Sequence, residues 1–78
     1  MEWRDMTMAM TGVRNHISLA SFISERLDEY IWKRGPNASE DRILYELNRI
    51  DKQLHEARSL NARLRKEIND ARREAGES

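Results

Sequence analysis

The sequence predicts a mainly α-helical chain, in which a short N-terminal strand or extended segment is followed by a helix, a Gly-Pro turn and a long C-terminal helix that forms a coiled coil. Three observations predict this class. Charged residues make up 36% of the 78 residues, with 14 of each sign, a density typical of long solvated helices. A Gly-Pro pair separates two helical patterns. The second pattern repeats apolar residues every 3.5 positions.

The N-terminal half divides into an arm, an extended segment and a helix. Residues 1–12 contain four methionines without a steady period and are interpreted as an N-terminal arm. Residues 13–19 alternate in polarity as a strand does, but they also satisfy the helical period, so both conformations stay open. Residues 21–34 are predicted to be helical. This helix should end where Gly35 adopts a positive φ and Pro36 prevents continuation.

Residues 40–75 are the strongest predicted helix, because no glycine or proline interrupts them. Asn37 or Ser39 can cap the start of this helix with a side-chain oxygen. Glu40 and Asp41 complement the positive end of its dipole. Residues 13–47 are interpreted as one module, either with a strand or as a helical hairpin, from which the long helix extends.

A heptad repeat in the long helix predicts an oligomer, either a homodimer or a tetramer. Asn61 falls at an a position among aliphatic residues, and a buried amide there favours a parallel two-stranded pair in register. An antiparallel pair, or packing on the chain's own first helix, is the alternative. The interface residues predicted at positions a and d are Leu47, Ile50, Leu54, Asn61, Leu64 and Ile68.

Composition and spacing argue against catalysis, a metal site and a membrane span. His16 and His55 lie far apart, and the chain has no cysteine to join them as a metal ligand. No serine lies in a His–Asp arrangement, and there is no glycine-rich phosphate loop. No apolar run reaches the roughly 18 residues that a membrane span requires. The sequence therefore predicts a cytoplasmic, non-enzymatic protein without a cofactor, a metal or a small-molecule substrate.

Residues 13–47 carry three short motifs in a characteristic order. Residues 13–19 (VRNHISL) are a strand candidate that ends in an aliphatic residue. Residues 24–35 (SERLDEYIWKRG) combine a Leu-Asp-Glu core with a Lys-Arg-Gly ending, and residues 35–40 (GPNASE) enter the next helix. Together these motifs resemble the ribbon-helix-helix (MetJ/Arc-type) family of DNA-binding proteins.

The resemblance implies a dimer whose paired strands enter the major groove of double-stranded DNA. Arg14, His16 and Ser18 would then face the bases, and the backbone amides of Asn37 and Ala38 would hold a phosphate. Two functions stay open. One is a small oligomeric transcriptional repressor, and the other is a non-enzymatic helical adaptor that pairs with itself or with another helical protein. A strand at residues 13–19 favours the repressor, whereas a helix there favours the adaptor.

Overall fold

The structure, a computed structural model, describes residues 2–76 and is a hairpin of two long helices. Helix α1 spans Trp3–Arg34, a 3-10 turn spans Gly35–Asn37, and helix α2 spans Glu40–Glu74. The hairpin measures 61 × 18 × 13 Å. The described residues contain helices and no strand, which agrees with the mainly α part of the predicted fold class.

The predicted strand or extended segment at residues 13–19 is wrong, because these residues form the middle of α1. The helical period prevails over the alternating pattern because it turns Val13 and Ala20 towards α2, where both are buried. Ile17 and Leu19, which strand alternation assigns to the core, are exposed instead. A helix also satisfies its backbone N–H and C=O groups with hydrogen bonds inside the segment, whereas a strand needs a second strand to satisfy them.

Helix α1 also includes the methionine-rich segment that the sequence sets apart as an arm, since it begins at Trp3. Gly12 lies within this helix. A Cβ at that position would come within 3.1 Å of Cδ1 of Leu60 on α2. Glycine therefore lets the two helices approach closely here. This close approach explains why α1 contains a glycine, although glycine destabilises a helix by about 1 kcal/mol relative to alanine.

The interior of the hairpin is a single thin seam between α1 and α2. It is made of small and aliphatic side chains, and Ile23 at its centre is 3% exposed. Two helices can bury only the stripe that each turns to the other, so most of their circumference stays in contact with solvent. The buried residues of the described chain are Val13, Ala20, Ile23, Leu27 and Ala57.

The register of α1 against α2 follows from contacts that cross the seam. His16 donates a hydrogen bond from Nδ1 to Oε1 of Gln53 over 2.6 Å, and the guanidinium of Arg42 lies 4.4 Å from the ring centre of Tyr30. The residue numbers add to 69 in the first pair and to 72 in the second, and the glycine contact described above also gives 72. Residue n of α1 therefore lies level with a residue of α2 numbered about 71 minus n.

The turn between the helices has the capping features that the sequence predicts. Helix α1 ends at Arg34, and Gly35 has a positive φ of 53° with ψ of −128°. Oγ of Ser39 accepts a hydrogen bond from the backbone N–H of Arg42 over 3.3 Å, as expected of an N-cap. The N–H of Ser39 in turn donates to the hydroxyl of Tyr30 over 2.9 Å. These bonds tie the start of α2 to the end of α1.

Replacing Gly35 by alanine should destabilise the hairpin by roughly 1–3 kcal/mol, because an L-residue is strained at this φ and ψ. The mirror image of this conformation lies in the extended region that L-residues favour. A synthetic chain with D-alanine at position 35 should therefore keep the wild-type stability. The measurement is urea denaturation followed by circular dichroism. Equal losses with both enantiomers would show that the backbone conformation of the turn differs from the one described.

Candidate protein interface

One long side of the hairpin carries a continuous apolar stripe. An open groove of about 460 Å³ on this side is lined by Val13 and Ile17 of α1 and by Leu54 and Asn61 of α2, among others. The stripe continues along both helices, because residues three, four or seven apart share a helix face. The exposed apolar residues on this side, called the apolar side below, are Met10, Ile17, Ile31, Leu44, Leu47 and Leu54.

The heptad predicted in α2 is divided between the interior and the apolar side. The d positions belong to the face that α1 covers, which includes the buried Ala57. The first three a positions are exposed, and the last is partly buried. The d positions of α2 are therefore covered by α1 of the same chain. This arrangement is the predicted alternative to a coiled coil between chains. The d residues of the predicted interface are Ile50 and Leu64, and its a residues are Leu47, Leu54, Asn61 and Ile68.

The opposite side of the hairpin is dominated by charges that have partners. Leu19 belongs to this side, because it lies two residues, or about 200°, beyond Ile17 around α1. Nζ of Lys33 lies 2.9 Å from Oε1 of Glu29. The hydrogen bond from Lys33, together with its positive charge, holds the pKa of the exposed Glu29 carboxyl below its ordinary value of 4.5. These paired charges indicate a solvated surface.

The residues expected to face DNA bases point in different directions. His16 is turned towards α2 and bonded to Gln53. Arg14 is exposed at the rim of the apolar side, and Ser18 is exposed on the outer surface of α1. Because residues two apart on a helix are separated by about 200°, α1 cannot present the three side chains together as a strand would. DNA binding itself stays a prediction, but the paired strands that would contact the bases are not formed by residues 13–19.

The amides expected to hold a phosphate lie before the first turn of α2. Asn37 closes the 3-10 turn, and the N–H of Ala38 already donates to the carbonyl oxygen of Gly35 over 3.0 Å. The first turn of α2 carries Glu40 and Asp41. These carboxylates complement the positive end of the helix dipole and would repel a phosphate there. The structure therefore does not combine the two predicted residues into an anion site.

A metal site and a membrane span are both absent from the described residues. Residues 2–76 contain no group of three or more His, Cys, Asp or Glu side chains that could hold a metal ion. Within the same range, neither helix has a stretch long and apolar enough to cross a membrane. Comparison of the chain with protein-family models, curated proteins and solved structures gives no match.

The heptad of α2 predicts only part of the apolar side. Leu47 and Leu54 follow from this heptad, whereas Met10, Ile17 and Leu44 are not predicted as interface residues. A seven-residue spacing joins Met10 to Ile17 in the sequence and would have been the signal. The predicted boundary between the N-terminal arm and the extended segment, after residue 12, falls between these two residues and hides their common spacing.

Proposed function

We propose that this chain is a non-enzymatic helical interaction module, which assembles with a second copy of itself through the apolar side to form a four-helix bundle. The observation that carries the proposal is the exposed apolar side, and the total exposed area of the chain leaves room for such an interface. The chain exposes 6658 Å², whereas a folded monomer of its 9.3 kDa mass exposes roughly 5,000 Å². The surplus of roughly 1,700 Å² reflects the elongated shape of the single hairpin, and it exceeds the roughly 800 Å² that one partner contributes to a standard interface.

The dimensions of the apolar side suit a second hairpin. Helix α1 has 32 residues and is therefore about 48 Å long, and the second dimension of the hairpin is 18 Å. The footprint of this side is on the order of 800 Å², which is what each partner contributes to a standard interface. A single helix, about 10 Å across, would cover only about half of that width.

The pattern of α1 also supports a bundle of more than two helices. A two-stranded seam needs two apolar positions in each heptad. Met10, Ile17 and Ile31 add a third position beside the buried stripe of α1. A stripe of this width is typical of helices that contact two neighbours in a four-helix bundle.

The transcriptional regulator expected from the resemblance is less well supported. It would use residues 13–19 as a β-ribbon, and these residues are helical. The adaptor is supported by exposed apolar side chains at helical spacing on both helices. We infer a second copy as its partner because the footprint of the apolar side fits another hairpin.

Sedimentation equilibrium of the wild-type chain tests this function. Between roughly 1 and 100 µM, a range that brackets micromolar dissociation constants, the average mass should rise towards twice the 9.3 kDa of one chain. Helix content from circular dichroism should confirm that the chain is folded throughout. A folded chain that stays monomeric over the whole range would overturn the proposed self-assembly.

A further inference from the structure

Four of the six residues of the apolar side are arranged symmetrically about one level of the hairpin. On α1, Met10 and Ile31 lie at equal distances from the midpoint between residues 20 and 21. On α2, Leu47 and Leu54 lie at equal distances from the midpoint between residues 50 and 51. The register places residue 50 of α2 level with about residue 20 of α1. The two midpoints therefore coincide at the level where Ala20 lies opposite Ile50.

Two opposite charges at the rim of the apolar side share the same centre. Arg14 and Asp28 are fourteen residues apart, so they lie on the same face of α1, and their midpoint is residue 21. Both are exposed. Neither belongs to an ion pair found within residues 2–76. A two-fold axis through this level would place Arg14 of each copy next to Asp28 of the other copy.

We infer that two copies of this chain pair with their apolar sides face to face and antiparallel, about a two-fold axis at the level of Ala20 and Ile50, with Arg14 of each copy beside Asp28 of the other. This inference rests on the proposed self-assembly and specifies its geometry. Leu47 of one copy meets Leu54 of the other and enters the groove lined by Ile17. The turns of the two hairpins lie at opposite ends of the bundle.

Charge favours this orientation over the parallel one. If the two-fold axis ran along the length of the hairpin instead, α1 of one copy would lie on α2 of the other. Each residue would then face residues at its own level along the hairpin. Arg14 would then face Arg58, because the register places residue 14 level with residues 55–58. Arg58 lines the groove on the same side of the hairpin. Like charges at an interface oppose association, whereas the antiparallel arrangement brings opposite charges together twice.

The antiparallel arrangement has one like-charge contact. Asp51 lines the groove and lies near the proposed axis, so it meets Asp51 of the second copy. This single repulsive contact is opposed by the two attractive contacts between Arg14 and Asp28. Replacing Asp51 by asparagine should therefore leave the dissociation constant unchanged or lower it. A weaker association of this variant would contradict the placement of the axis.

Single-cysteine variants test the orientation directly, because the wild-type chain contains no cysteine. Ser21 is exposed on the apolar-side rim next to the proposed axis, and Thr7 occupies the equivalent heptad position two heptads away. Under mild oxidation, Ser21→Cys should form a disulfide-linked dimer, since each residue 21 lies near its own counterpart. Thr7→Cys should not. Equal cross-linking of both variants, or cross-linking at position 7 alone, would overturn the antiparallel register.

A charge-swap experiment tests the ion pairs. Arg14→Asp and Asp28→Arg should each raise the dissociation constant at low salt by roughly 10-fold, because two attractive contacts become repulsive. An equimolar mixture of the two variants should associate as tightly as wild type, since both contacts are attractive in the heterodimer. The measurement is energy transfer between differently labelled chains. If wild type assembles but the mixture gains nothing, the geometry is wrong while the proposed function stands.

Discussion

Replacing Leu54 by glutamate is expected to leave the hairpin folded and to raise the dissociation constant of the assembled chain by about 100-fold or more, which corresponds to about 2.7 kcal/mol. Leu54 is 42% exposed in the single hairpin, so a charged side chain there can remain solvated. In the assembly it lies at the centre of the apolar side. The substitution occurs in both copies and places one carboxylate in each of the two contacts between residues 47 and 54, which exclude water and where an unpaired charge is costly.

Leu19→Glu is the matched control for this prediction. Leu19 is also 42% exposed but lies on the charged side of the hairpin. Both variants should retain wild-type helix content by circular dichroism, and sedimentation equilibrium should separate them. If Leu19→Glu dissociates the assembly and Leu54→Glu does not, the interface lies on the charged side.

Truncation of Ile23 to alanine is expected to destabilise the hairpin by about 2–4 kcal/mol. Ile23 is the most deeply buried of the core residues, at 3% exposed. Its removal leaves a gap between two long helices that cannot both move inwards without disturbing the contacts on either side. Because the interior is so small, this loss is a large fraction of the stability typical of a chain of this size.

Urea denaturation at one fixed chain concentration measures this loss, since association also contributes to stability. Leu19→Ala serves as the comparison, because it removes a side chain of similar size from an exposed position of the same helix. Its effect should be less than half that of Ile23→Ala. Equal effects would contradict the arrangement in which Ile23 faces α2 and Leu19 faces solvent.

The parts of the fold that depend on local chemistry could be predicted from the sequence. The end of α1 follows from Gly35 and Pro36, and the start of α2 follows from the hydroxyl of Ser39. Residues 13–19 could not be assigned, because their apolar residues satisfy both the two-residue and the helical period. The contact that decides between the two periods is long-range. One contact of this kind joins His16 to Gln53 on α2, 37 residues further along the chain.

The candidate interface was only partly predictable for a different reason. A heptad specifies which residues share a helix face, but it does not specify how many neighbouring helices cover that face. Ile50 and Leu54 belong to one predicted seam, yet the first lies towards α1 and the second lies on the apolar side. This division depends on the position of α1, which the sequence pattern of α2 does not encode.

The hairpin topology also sets an order in which contacts can form during folding. The bond between Ser39 and Tyr30 closes a loop of nine residues, whereas His16 and Gln53 are separated by 37 residues. Direct closure of the longer loop in an unfolded chain costs about 1.3 kcal/mol more in entropy. Once the turn has formed, each further contact encloses only a few additional residues. Folding is therefore expected to start at the turn and to proceed as a zipper towards the chain termini, and the methionine-rich end of α1 should close last.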